Sequence, residues 1–162
     1  MSFHLVDHPL ARHLTSVLRD VRTSPAAFRV AAGQLTTLVA LEATRDLPLT
    51  TRRIETPLEA MDADTLATPL VVVPILRAGL GMLGPVLDLF PDATVGHIGL
   101  ARDEASAVAE AYYCKLPPLG PAPILVVDPM LATGGSACQA VDAVKAAGGR
   151  DIRLLCVVAA PE

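Results

Sequence analysis

Apolar residues recur at helical spacing between Pro9 and Val21, where Leu10, Leu14, Val17, Leu18 and Val21 share one face. That pattern predicts a first helix. Ser24-Pro25 then supplies a cap and a proline at the first helical position. A second helix is predicted from there to about Thr44, with Phe28, Leu35, Leu38 and Val39 on one side. The next stretch, "LPLTTRRIETPLEAMDADTL", is polar and rich in threonine, and predicts an exposed β-flap. From Leu70 the pattern changes. "LVVVPI" is a continuous β-branched run, as in a strand buried on both faces. A helix is predicted over Leu80 to Phe90, a strand over "ATVGHIGL", and mixed signals over "AVAEAYYCKL". "PPLGPAP" reads as a linker. "ILVV" reads as a strand, Ser136 to Ala147 as a helix, Gly148-Gly149 as its stop and "IRLLCVVAA" as a last strand. Strands alternating with helices predict an α/β fold with a doubly wound, mainly parallel sheet. Residues 1–46 form N-terminal helices, 47–68 the flap and 69–162 the α/β core of a single domain.

Composition narrows the function. The chain has 162 residues, enough to bury a core. Hydrophobic residues make up 52% and charged residues 19%, which excludes disorder. The net charge is -4 with no basic run, which demotes nucleic-acid binding. No apolar run reaches membrane-spanning length, and "MSFHLVDHPL" has no signal-peptide core. Cys114, Cys138 and Cys156 lie far apart in an odd count, which argues against zinc and a disulfide framework and fits a reducing cytoplasm. The four histidines form no catalytic constellation and are read as structural or surface residues.

Ligands of doubly wound sheets bind beyond the carboxyl ends of strands. Three predicted strand ends carry unusual residues: "PILRAGLGMLG", "GLARDE" and "VDPMLATGGS". In the first, Gly79, Gly81 and Gly84 match a dinucleotide fingerprint, with Asp103 as the later acid. A lone match is weak, and tight packing explains glycines equally well. Arg77 is more telling, because a guanidinium beside accessible amides suits a polyanion such as pyrophosphate. In the second, Arg102 sits in a charged turn that is either plain surface or a loop delivering an arginine to phosphate. In the third, Ala132 to Ser136 can present consecutive N–H groups at a helix start, with hydroxyls from Thr133 and Ser136. Gly134 and Gly135 permit the backbone angles that such a cradle needs. Asp128 would repel a phosphate but can accept hydrogen bonds from vicinal hydroxyls. Together these features describe a ribose 5-phosphate site.

"VDPMLATGGSA" resembles the phosphoribosyl pyrophosphate (PRPP) motif of type I phosphoribosyltransferases. Its Asp-Pro-Met form resembles the uracil phosphoribosyltransferase family in particular, as do "VVVPILRAGLGM", "AAPE" and "HPLARHLTSVLRD". The resemblance implies that Arg77 and Arg102 meet the pyrophosphate of PRPP. It implies that Asp128, Pro129, Met130, Leu131, Ala132, Thr133, Gly134, Gly135 and Ser136 hold the ribose hydroxyls and 5-phosphate. The resemblance gives Asp128 and Arg102 the catalytic roles. The implied reaction converts uracil and PRPP to UMP and pyrophosphate with Mg²⁺ bound mainly through PRPP, in pyrimidine salvage. GTP activation and homo-oligomers paired through the flap are further implications. The chain departs from the family in three places: Pro129 replaces a second acid, Ala101 an aromatic, and the sequence stops after "AAPE". Relatives continue with a Gly-Asp-Ala segment that recognises uracil. On this reading the chain is C-terminally truncated, holds no uracil-binding residue, leaves a sheet edge bare and turns over little or no uracil. Two other readings compete: a non-catalytic PRPP- or nucleotide-binding regulatory domain, and an NAD-binding oxidoreductase.

Overall fold

The computed structural model describes residues 3–102 and 109–160. Helices α1 (Pro9–Arg19) and α2 (Pro25–Ala43) precede the hairpin of β1 (Leu49–Glu55) and β2 (Ala60–Leu66). Then come β3 (Val71–Leu76), α3 (Leu80–Leu89), β4 (Thr94–Val95), β5 (His97–Arg102), β6 (Ala109–Lys115), β7 (Ile124–Val127), β8 (Met130–Leu131), α4 (Gly135–Ala146), β9 (Ile152–Leu155) and β10 (Val158–Ala159). The main sheet runs β6-β5-β3-β7-β9, with β4 also on β3. All its pairings are parallel except β5 with β6.

Period-two alternation along the two central strands builds the core on both faces of the sheet. Val71, Val73 and Ile75 of β3 face the same way as Ile124 and Val126 of β7, and pack with Ala140 and Val144 of α4. Val72, Leu125 and Val127 face the other way, toward Ala40 of α2 and Met82 and Val86 of α3. Ala11, Leu14, Ala31 and Leu35 close a smaller cluster between α1 and α2. The doubly wound α/β fold expected from the apolar pattern is therefore present, with helices covering both faces.

Several details differ from the expectation. Helix α1 ends at Arg19, and Val21 is 97% exposed. Asp20 takes extended backbone there, its carboxylate pairs with Arg22, and the Thr23 hydroxyl donates to the Val17 carbonyl at 2.7 Å. Phe28, expected on the packed side of α2, is exposed. The "linker" at 117–123 contributes Leu119 to the core. The mixed segment resolves as the antiparallel strand β6. "IRLLCVVAA" is two strands rather than one. β9 lies on the sheet edge, and after Cys156 the chain turns so that β10 pairs with β8. Arg153 on β9 donates to the Ala43 carbonyl at 2.6 Å and contacts Asp46 and Asp151, which ties the edge strand to the end of α2.

Candidate functional site

The chain order places β3 first, β5 on one side of it and β7 on the other. The winding direction reverses between β3 and β7, and the crevice beyond their carboxyl ends is the position where such sheets bind ligands. β3 and β7 are in register through Pro74 and Val127. Arg77 therefore follows the end of one strand, and Asp128 the end of its neighbour. Arg77 is exposed, and the Leu76–Arg77 peptide is cis. The turn after Arg77 closes tightly. Gly79 N–H donates to the Ile75 carbonyl at 2.8 Å. A Cβ on Gly79 would lie 2.4 Å from the Val127 carbonyl oxygen and 2.7 Å from the Ile75 nitrogen. Only glycine lets the Arg77 turn rest against the end of β7. A Cβ on Gly81 or Gly84 would meet nothing within 4 Å. The third glycine of a dinucleotide fingerprint serves close helix packing, so the match at Gly79, Gly81 and Gly84 fails on geometry.

Asp128 is half-buried, and burial pushes its carboxyl pKa above the ordinary value. Its backbone N–H donates to the Leu155 carbonyl at 3.1 Å. Val157 and Val158 N–H both donate to the Pro129 carbonyl at 3.1 Å, and Ala160 N–H donates to the Leu131 carbonyl at 2.8 Å. The 128–131 segment is thus pinned along its length by residues 155–160. Sequence reasoning missed this brace, because neither two-residue strand carries a periodic signal. It also missed Cys156, whose thiol pKa is pushed up to about 11 by burial and by the nearby charge of Asp128. The proximity follows from β9 lying beside β7, which no local pattern announces.

Beyond Asp128 the chain bends into α4. Gly134 has φ +79, a left-handed conformation that glycine adopts without steric cost. Helices α1 and α2 have side-chain caps from His8 and Ser24, whereas no side chain caps α4. Its first-turn N–H groups point out of the helix start with the positive end of the dipole. Asp128, Met130, Leu131, Ala132, Gly134, Gly135, Ser136 and Ala137 line a cavity of about 80 Å³. Of the predicted segment, Pro129 and Thr133 do not line it, while Ala137 was not foreseen. Arg102 is the last residue of β5, and Asp103 and Glu104 lie outside the described residues. A larger hollow, about 450 Å³, lies between residues 5–8 and α2 and contains none of the predicted site residues. The three cysteines are free. Among the described residues no helix is long and apolar enough to cross a membrane.

Comparison with known proteins bears directly on this geometry. A family model described as uracil phosphoribosyltransferase matches residues 5–162. A protein of that name from Symbiobacterium thermophilum is 49% identical over 160 residues, covering 98% of this chain and 77% of the relative. One from Levilactobacillus brevis is 46% identical over 162 residues, covering 99% and 78%. Among solved structures, the AQ2163 protein from Aquifex aeolicus superposes with a TM-score of 0.93 at 32% identity, covering all of this chain and 78% of that one. A purine phosphoribosyltransferase from Pyrococcus horikoshii superposes with a TM-score of 0.60 at 15% identity, which shows a shared fold. The family match runs over residues 5–162, and both relatives are longer than the stretch that this chain matches.

Proposed function

The chain belongs to the uracil phosphoribosyltransferase family, and from that premise we infer how its strand ends divide the work on PRPP. Members of this family are pentosyltransferases acting on PRPP and uracil, and the non-catalytic reading is not favoured. Displacement at C1′ of PRPP passes through an oxocarbenium-like state as pyrophosphate departs. Such a step depends on positioning and on stabilising charge more than on a strong base. In our reading, the backbone donors of Ala132 to Ser136 take the 5-phosphate at the uncapped start of α4. Asp128 accepts hydrogen bonds from the ribose hydroxyls. Arg77 and Arg102 meet the diphosphate. The observation that carries this assignment is the contact of the Gly79 turn with the end of β7, which sets the Arg77 loop beside Asp128.

Mg²⁺ fits this arrangement. Asp128 is the one acid among the residues lining the cavity, and no group of three His, Cys, Asp or Glu side chains that could hold a metal occurs among the described residues. Mg²⁺ keeps several waters and binds through substrate phosphates with few protein ligands. When bound it supplies neutralising charge at the diphosphate. No residue is assigned to uracil. The flap favours self-association, since among the described residues its strands pair only with each other, and the hairpin exposes Leu49, Met61 and Leu66 on its strands and Leu58 in its turn. Three free thiols are consistent with a cytoplasmic setting.

The test is direct. The full-length protein, incubated with uracil, PRPP and Mg²⁺, is expected to release UMP and pyrophosphate in equal amounts. A folded full-length protein that binds PRPP yet forms no UMP would overturn the transferase reading.

A further inference from the structure

β5 changes partners abruptly. Through Gly99 it is held on both sides: Ile98 and Gly99 pair with Ile75 and Leu76 of β3, and with Cys114 and Tyr113 of β6. β3 then ends at Leu76, immediately before Arg77. Among the described residues, Leu100 to Arg102 of β5 pair with β6 alone, so the two strands leave the sheet as an arm. The register shifts at this departure point. Gly99 pairs with Tyr113, but Leu100 pairs with Ala111, which makes Tyr112 the extra residue of a β-bulge. Bulges bend the strand, increase its twist and re-aim what lies beyond. The Tyr112 ring lies across Gly99: a Cβ at position 99 would sit 2.6 Å from ring atoms Cε2 and Cζ. Yet Tyr112 is 58% exposed, so the ring buries little area there.

We propose that Tyr112 is a positioning residue for PRPP: its ring, seated on Gly99 at the bulge, sets the path of the arm that carries Arg102 relative to Arg77. Arg77 follows Leu76 directly, and Arg102 ends β5 three residues beyond Gly99, the partner of Leu76, so the angle of the arm governs the separation of the two arginines. An aromatic ring resting on a glycine is a stiff spacer there, because the glycine lacks a Cβ to hold the ring off. The proposal rests on the reading of Arg102 as a diphosphate contact.

PRPP affinity by calorimetry, together with KM for PRPP and for uracil, tests it on the full chain. Tyr112→Ala is expected to weaken PRPP binding about tenfold through misplacement of the arginine, with KM for uracil unchanged. Tyr112→Phe keeps the ring and is expected to restore wild-type affinity. Gly99→Ala, which displaces the ring, is expected to reproduce the loss, and it carries the test should Tyr112→Ala fail to fold. In an Arg102→Ala background, Tyr112→Ala is expected to cost nothing further, because both act through one route. Unchanged PRPP affinity in Tyr112→Ala, equal losses for uracil and PRPP, or an undiminished loss in the Arg102→Ala background would overturn the proposal. Arg102→Ala binding PRPP as tightly as wild type would instead overturn the role of Arg102, and the proposal with it.

Discussion

The β1–β2 hairpin and the β3–β7 pair use the same backbone hydrogen bonding to opposite ends. In β7 every residue is buried, and β3 is buried from Val71 to Ile75. Burying each such Val, Leu or Ile contributes about 1.5–3 kcal/mol, and helices cover both faces. In β1 only Ile54 is even partly buried. The flap is held by its ladder, by the Arg53–Asp62 pair across the strands, and by a turn in which the Thr56 hydroxyl donates to the Glu59 carbonyl at 2.7 Å. A two-stranded hairpin of this kind is marginal by itself in water. The contrast fits the proposed site. Groups that must hold a sugar phosphate in one geometry need a mount that does not move, and the proposal puts them at the ends of the buried strands β3 and β7. The flap exposes the apolar side chains of Leu49, Leu58, Met61 and Leu66, the surface to which the proposal assigns pairing between copies.

The comparison breaks most severely at Gly79. A methyl there meets backbone of Ile75 and Val127, which cannot step aside as a side chain would. Gly79→Ala is expected to cost about 3 kcal/mol of stability, read as a lower urea midpoint, and to separate the Arg77 turn from β7. A wild-type midpoint would show that the two strand ends are not locked together.

Next in size is Asp128→Asn. Losing charged hydrogen bonds to the ribose hydroxyls is expected to weaken PRPP binding by about ten- to a hundredfold. Stability moves the other way. Burial raises the Asp128 pKa in the folded chain, so the fold binds this proton more tightly than the unfolded chain does. Its stabilising contribution is present below the ordinary aspartate range and is lost as pH rises through the raised pKa. At neutral pH the ionised group therefore opposes folding, and Asp128→Asn is expected to raise the melting temperature slightly while affinity falls. PRPP affinity of the wild type should decline with acidification at a pH above the ordinary aspartate range, and the variant should lack that limb. A variant that binds PRPP normally would remove Asp128 from the site.

The smallest effect on the monomer belongs to the flap. Leu58 is 97% exposed, and Leu58→Ser is expected to change monomer stability by less than about 0.5 kcal/mol. Self-association measured by sedimentation is expected to weaken. Association unchanged by substitutions at both Leu58 and Met61 would separate the flap from pairing.

Much of this was legible locally. The β-branched runs at 71–75 and 124–127 announce strands buried on two faces, and Ser24-Pro25 announces the start of α2, because each signal is written in adjacent residues. The turn at 132–136 and the helix start after it were legible for the same reason: glycines and hydroxyls follow one another along the chain. The dinucleotide match misled because spacing alone does not say which glycine is packed. The single strand expected at 152–160 misled because apolar residues continue past Cys156 while the backbone turns to a different partner.

By itself the sequence determined the helices, the two-faced core strands, the acid and the glycine-rich turn, since those depend on neighbours a few residues apart. Only the tertiary structure decided that the Arg77 turn rests on Val127, that residues 155–160 brace Asp128 and Pro129, and that Tyr112 sits on Gly99. Each of these joins residues distant in the chain, and strand order and register, set by burial across the whole sheet, bring them together.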